Sequence, residues 1–353
     1  MVYRFIVLER IEFENRVLGL KKRGEEDEDS DEEWPDDKAK IVCSSHGWLA
    51  LFHFQNDNYD LFLSNSLSRR NIKLPPIQNL LNIPESILKG GYLSVTNVII
   101  SSSSLDEEDC RVMVIYGRDQ RLAFCCPARA RVDPPQRSDW LRVIGDSGDH
   151  FVAWDLRDPL SPRMIPMVIS VDKNNYPVAA QSELELDLKL LCKIDEKFLV
   201  VAEPSDELFH VRRFVMLRMG PDGSFVDEVW HGAKGFDYSV PYKTVGFDVQ
   251  NYEPETGSLK YMDRSLGGLA LFIGSNHGFA LSGAHFPELK PNSIYFTDTI
   301  GPPEWDDHDY RGHNVGIFNY ENETFWSFYY PIGLGSIRKI VPSPIWFTPT
   351  TPL

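Results

Sequence analysis

Apolar residues recur along this chain in short alternating or continuous runs rather than at helical spacing. Ile41-Val42-Cys43, Trp48-Leu49-Ala50-Leu51-Phe52 and Tyr59-Asp60-Leu61-Phe62-Leu63 follow one another with polar or glycine breaks between them. Similar runs occupy 98–100, 111–116, 122–124, 198–201, 209–217, 269–273, 293–296, 315–320 and 325–330. β-Branched and aromatic residues dominate these stretches, and 24 glycines with 24 prolines punctuate them, which predicts many short strands. Leucines at 184, 186, 188 and 190 repeat every second residue, so 182–191 reads as strand rather than helix. A short helix is expected only within 75–88. Short strands separated by regular turn signals mean a sandwich, a barrel or a propeller.

An internal match narrows the choice. Gly47-Trp48-Leu49-Ala50-Leu51-Phe52 returns 220 residues later as Gly267-Gly268-Leu269-Ala270-Leu271-Phe272. Gly91-Tyr92-Leu93-Ser94-Val95 lies 44 residues after the first copy, and 220 is five times 44. A propeller blade takes roughly 40–50 residues, so the spacing places these segments on equivalent strands of different blades. The expected fold is an all-β propeller, six blades of four strands, with seven as the alternative count. Although 353 residues would suit two domains of about 150, propellers run past that length as one unit. The expected organisation is a short N-terminal segment over 1–40 and a propeller domain over 41–353.

Charge is concentrated in one place. Lys and Arg number 36 against 52 Asp and Glu, a net charge of −16. Ten of the thirteen residues 25–37 are acidic, and without them −16 becomes −6. Such a block repels itself and reads as a solvated loop. Ser30 lies inside it, followed by Asp31, Glu32 and Glu33, the setting of a phosphorylation site. The negative excess repels phosphate backbones and anionic lipid, so neither nucleic acid nor membrane is an expected partner. Basic groups such as Arg129 and Arg131, or Arg212-Arg213, are few and scattered and read as solvated surface charges. Five cysteines with no CxxC pair read as reduced thiols. The first twenty residues carry early acids and no cleavage site, so a cytoplasmic or nuclear protein is expected.

Cys43-Ser44-Ser45-His46-Gly47-Trp48-Leu49 and the stretch Ser66 to Pro76 resemble the opening of the KIB-type β-propeller domain of plants. The stronger match is Leu266 to Gly274, then Phe286-Pro287-Glu288-Leu289-Lys290-Pro291-Asn292-Ser293-Ile294-Tyr295-Phe296-Thr297-Asp298. Residues 314–319 and 345–350 also fit, and the resemblance runs from about 41 to 350, weakest over 145–260. It implies a propeller, attached in some members to an F-box that docks onto a cullin-type ubiquitin ligase while the propeller presents the substrate. This chain departs from that pattern. Only forty residues precede the first shared motif, thirteen of them the acidic block, so no F-box is expected.

The shared residues read as architecture. Gly47 and Gly267 allow tight turns, Trp48, Trp140 and Trp346 fill gaps between sheets, and Pro75-Pro76 ends a strand. Pro291, Asn292 and Tyr295 belong to the same structural set, and Asp298 is expected to accept turn N–H groups after its strand. Chemistry is sparse. Asp306-Asp307-His308-Asp309 with His313 has metal-ligand residue types but sits beside Gly301-Pro302-Pro303, which mark a solvated loop. His46 and His277 each precede a glycine and read as hydrogen-bonded turn residues. Adjacent Cys125 and Cys126 point to opposite faces of a strand and suit neither a dithiol nor a metal pair. Asn322-Glu323-Thr324 is a sequon that a cytoplasmic protein would not use. No nucleophile elbow, phosphate loop or dinucleotide fingerprint occurs. Catalytic, cofactor and metal residues are therefore expected to be none. The expected function is a protein-interaction module resembling a substrate receptor without its own F-box, with a protein as partner. The alternative is a propeller that binds or hydrolyses a small molecule in its central channel.

Overall fold

The structure is a computed structural model. It describes residues 39–55, 58–65, 67–75, 95–101, 105, 110–116, 121–127, 141–143, 152–155, 163–166, 170–171, 193–202, 205, 207–217, 242–299, 315–329 and 345–347. Among these, all regular structure is strand, twenty in number. The acidic stretch 25–37 with Ser30, the helix expected within 75–88, the leucine run 182–191, Pro76, Trp140, Cys192 and the Asp306–His313 cluster lie outside the described residues.

Contacts divide the chain into two units. The first takes 1–166 together with Ser275–His277 and Ile345–Leu353. Its first sheet is an antiparallel meander of β1 (Ala39–Ser45), β2 (Trp48–Gln55), β3 (Asn58–Asn65) and β4 (Arg70–Lys73). A second meander follows: β5 (Val95–Ile100), β6 (Val112–Tyr116), β7 (Arg121–Cys125) and β8 (Leu141–Val143). β9 (Val152–Asp155) and β10 (Arg163–Pro166) form a hairpin. The expected runs fall inside these strands because alternation puts one face of each into a shared core. Leu61, Leu63, Ile72, Val98, Val112 and Val114 are all buried there. Each buried side chain of that size contributes roughly 1.5–3 kcal/mol.

The second unit holds one sheet of ten strands. It begins with the two-residue β11 (Ser170–Val171) and a meander of long strands, β12 (Lys193–Ala202), β13 (Glu207–Leu217), β14 (Tyr242–Glu253) and β15 (Ser258–Tyr261). β16 (Leu269–Ile273), β17 (Gly278–Ser282), β18 (Ser293–Phe296), β19 (Val315–Asn319) and β20 (Thr324–Tyr329) complete it. Two parallel pairings, β12 with β17 and β16 with β18, join what would otherwise be separate meanders. Four-stranded sheets thus stand alone in the first unit but run together in the second.

The matching hexapeptides correct the repeat argument. Both follow a two-residue turn whose residues have positive φ: His46 and Gly47 at 47° and 78°, Gly267 and Gly268 at 65° and 80°. That is the backbone of a tight primed turn, which glycine adopts without strain. The strands that follow are not equivalent, however. β2 lies between two antiparallel neighbours, whereas β16 has antiparallel β17 on one side and parallel β18 on the other. The shared sequence encodes a local event, a left-handed turn entering a buried strand, and not a blade position.

Candidate functional site

In the first unit the motif Cys43-Ser44-Ser45-His46 works on two sides. β1 and β5 are edge strands of their sheets. The Val98 amide of β5 donates to Cys43 Sγ at 3.1 Å, and the thiol donates back to the Val98 carbonyl at 3.2 Å. Two residues on, the Ile100 amide donates to Ser45 Oγ at 3.1 Å. Side chains of β1 thus satisfy outward-facing amides of β5. Burial pushes the Cys43 thiol up to about 12, offset only in part by its hydrogen bond, so it is no nucleophile at neutral pH. Cys110, Cys125 and Cys126 are likewise buried.

Ser44 faces the other way. Its hydroxyl donates to the Trp346 carbonyl, and its own carbonyl accepts the His277 amide at 2.9 Å. This places the turn after β1 against residues 275–277, so that the His46 and His277 rings stand 5.4 Å apart at 51°. Burial first, and then the neighbouring His46, lower the His277 pKa to about 4. Next to it the Asn276 amide donates to the His277 carbonyl at 2.8 Å, leaving the Asn276 Oδ1 buried without a hydrogen-bond partner. Sequence reasoning treated the two histidines as separate turn residues. Nothing in the local pattern pairs positions 231 residues apart.

The second unit's motif, Lys290 to Asp298, is a set of clamps. Asn292 adopts φ 51°, and its Oδ1 accepts the Leu266 amide at 3.0 Å and the Gly268 amide at 2.9 Å. Asn292 therefore holds the Gly267-Gly268 turn, while its carbonyl accepts the Tyr320 amide at 2.8 Å. Pro291 packs beside Gly283, where an added Cβ would lie 3.3 Å from the Pro291 Cβ. The Tyr295 hydroxyl accepts the Lys290 amide at 2.9 Å. Its ring stacks on Phe272, which stacks on Phe279, both at 4.7 Å between centroids. Register continues that row through Ile317 to Trp326, which is 43% exposed with the Lys290 ammonium over its ring.

Behind the same motif lies a buried ionic cluster. Arg213 has no exposed surface, which corrects the expectation that Arg212-Arg213 are solvated charges. Strand alternation explains it: Arg213 shares the inward face of β13 with Phe209, Val211 and Val215. Its Nε donates to Thr244 Oγ1 at 2.8 Å and its Nη1 to the Thr297 carbonyl at 2.8 Å. Nη1 also lies 3.4 Å from Glu196 Oε2, and the guanidinium lies over the Phe296 ring at 5.1 Å. Glu196 Oε1 accepts the Thr299 hydroxyl. Asp298 accepts the Tyr242 hydroxyl, a donor on a distant strand. Burial and then the Asp298 carboxylate push the Tyr242 pKa far above its usual range, so the phenol stays a donor. With Tyr242 and Asp298 each 2% exposed, the cluster is closed to substrate and reads as core structure.

Of the remaining singled-out residues, Trp48 is buried in the first core and Pro75 is buried just past β4. The described residues contain no group of three or more His, Cys, Asp or Glu able to hold a metal, and no helix long and apolar enough to cross a membrane. The family model KIB1-4 beta-propeller matches residues 25–319.

The chain belongs to the KIB1-4 beta-propeller family.

The match begins ahead of the expected boundary at 41 and takes in the acidic stretch as well as the weakly resembling middle. No curated protein matches the chain. Membership makes it a β-propeller, an architecture that serves generally as a scaffold for protein interaction. The Asn292 clamp and the Cys43 and Ser45 contacts give the KIB motifs their physical content, which is turn-locking and edge-covering.

Proposed function

We propose that this KIB-family propeller is a protein-interaction module that presents a bound partner protein, in the manner of a substrate receptor. Family membership carries the reading. Large apolar side chains on the surface support it: Leu67, 51% exposed between β3 and β4, and Trp326 on β20. Exposed aromatics on rigid strands suit binding because little side-chain freedom is lost. Among the described residues, the ionisable groups with the largest pKa shifts, Cys43, Tyr242 and Tyr320, are core residues, which favours binding over catalysis. The reading needs no F-box in this chain.

The test is affinity purification of the full chain from its native tissue, repeated with Trp326→Ala and Leu67→Ser. A specific protein partner is expected. At least one substitution should cost about 2 kcal/mol, roughly thirtyfold in affinity, if it is a binding anchor. Purified chain should not retain the F-box-binding ligase adaptor unless a third protein bridges them. Absence of any specific protein, with a small molecule co-purifying instead, would overturn the reading.

A further inference from the structure

The contact between the β1–β2 turn and residues 275–277 has a geometry that its hydrogen bonds do not require. Those bonds are backbone and hydroxyl contacts of Ser44, yet they bring two imidazoles, tilted by 51°, beside one another within one unit. Zinc–imidazole bonds run about 2.0–2.1 Å, and a ring nitrogen stands about 1.1 Å from its ring centre, so two rings on one tetrahedral ion have centres about 5.2 Å apart. The His46 and His277 centroids are 5.4 Å apart.

A second observation comes from Asn276. This residue is 3% exposed, and its Oδ1 is buried with no hydrogen-bond partner. A buried carbonyl oxygen left unpaired costs about 1–3 kcal/mol and in native proteins usually has a water or an ion beside it. We propose that His46 and His277 bind one divalent transition-metal ion, zinc foremost, with Asn276 Oδ1 and water completing its coordination. Two neutral imidazoles suit a borderline ion such as zinc and give calcium or magnesium little reason to bind. With no third His, Cys, Asp or Glu grouped among the described residues, the site is an exchangeable one rather than a closed structural centre. The ion would tie the β1–β2 turn to residues 275–277, a clip on contacts the chain already makes.

The experiment titrates zinc chloride alone into chelator-treated full-length protein and follows heat release. One saturable ion per chain is expected, with His46→Gln and His277→Gln each weakening it about tenfold or more, and magnesium not competing. In the unaltered chain, zinc should move the ring-proton NMR signals of two histidines together. That readout stands even if a variant fails to fold. No saturable binding, zinc binding that both variants leave intact, or histidine signals that do not move would each overturn the proposal.

Discussion

Removing the Arg213 guanidinium while keeping its volume, by Arg213→Met, should destabilise the protein by about 3 kcal/mol, at the low end of the range for breaking a buried ion pair. The structure sets that figure. Two short hydrogen bonds, to Thr244 and to the Thr297 carbonyl, lose their donor in a place water does not reach. Each acceptor left unpaired costs about 1–3 kcal/mol, partly offset because methionine can still pack on Phe296. The Glu196 pair adds less: at 3.4 Å it is a loose contact, and Glu196 Oε2 makes no hydrogen bond that the change would break. Glu196→Gln should therefore cost only about 1 kcal/mol, since an amide oxygen can still accept from Thr299. The double variant should be about as unstable as Arg213→Met alone. The assay is urea unfolding of all four proteins, followed by tryptophan fluorescence. If Arg213→Met lay within about 0.5 kcal/mol of the unaltered chain, the cluster would not be the buried support described here.

Asn292→Ala removes both bonds to the Gly267-Gly268 turn and puts alanine at φ 51°, so a loss of about 2 kcal/mol is expected, while Asn292→Asp, which keeps the acceptor, should lose less. Chemical denaturation of the two variants checks the order. Cys43 should resist alkylation in the native protein at pH 8 and react only on unfolding, as mass mapping would show. Because its folded pKa is raised to about 12, its contribution is fully present below the unfolded thiol value near 9. That contribution is lost as pH climbs from there towards 12. A Cys43→Val variant should lose less stability than the unaltered chain over that alkaline window, measured by melting temperature against pH.

The strands were legible because short apolar runs bounded by turn residues mark buried strands, and the runs at 41–43, 98–100 and 269–273 carry that signature at full strength. Turn glycines were equally plain, since positive φ leaves few choices of residue. Other features depend on contacts that no local pattern holds. Arg213 looked like surface beside Arg212, and only its place on the inward face of β13, within hydrogen-bond reach of Thr244 and Thr297, makes burial tolerable. The His46–His277 pair depends on Ser44 reaching two distant segments. The hexapeptide repeat misled for the same reason. A turn and the strand after it are local, whereas the parallel pairing of β16 with β18 is set by residues beyond both.

Cys43 and Ser45 also bear on how the chain behaves in a crowded solution. The outer rim of any sheet offers unpaired amides at regular spacing, a ready template on which another polypeptide can add a strand and begin to aggregate. At β5 two of those amides, Val98 and Ile100, are already engaged by a thiol and a hydroxyl from β1. A strand from another molecule would have to displace both side chains before it could pair there. The motif Cys43-Ser44-Ser45 thus works as a chemical stopper on an otherwise self-adhesive rim. Loss of either group, by Cys43→Ala or Ser45→Ala, should appear first as clumping rather than as unfolding.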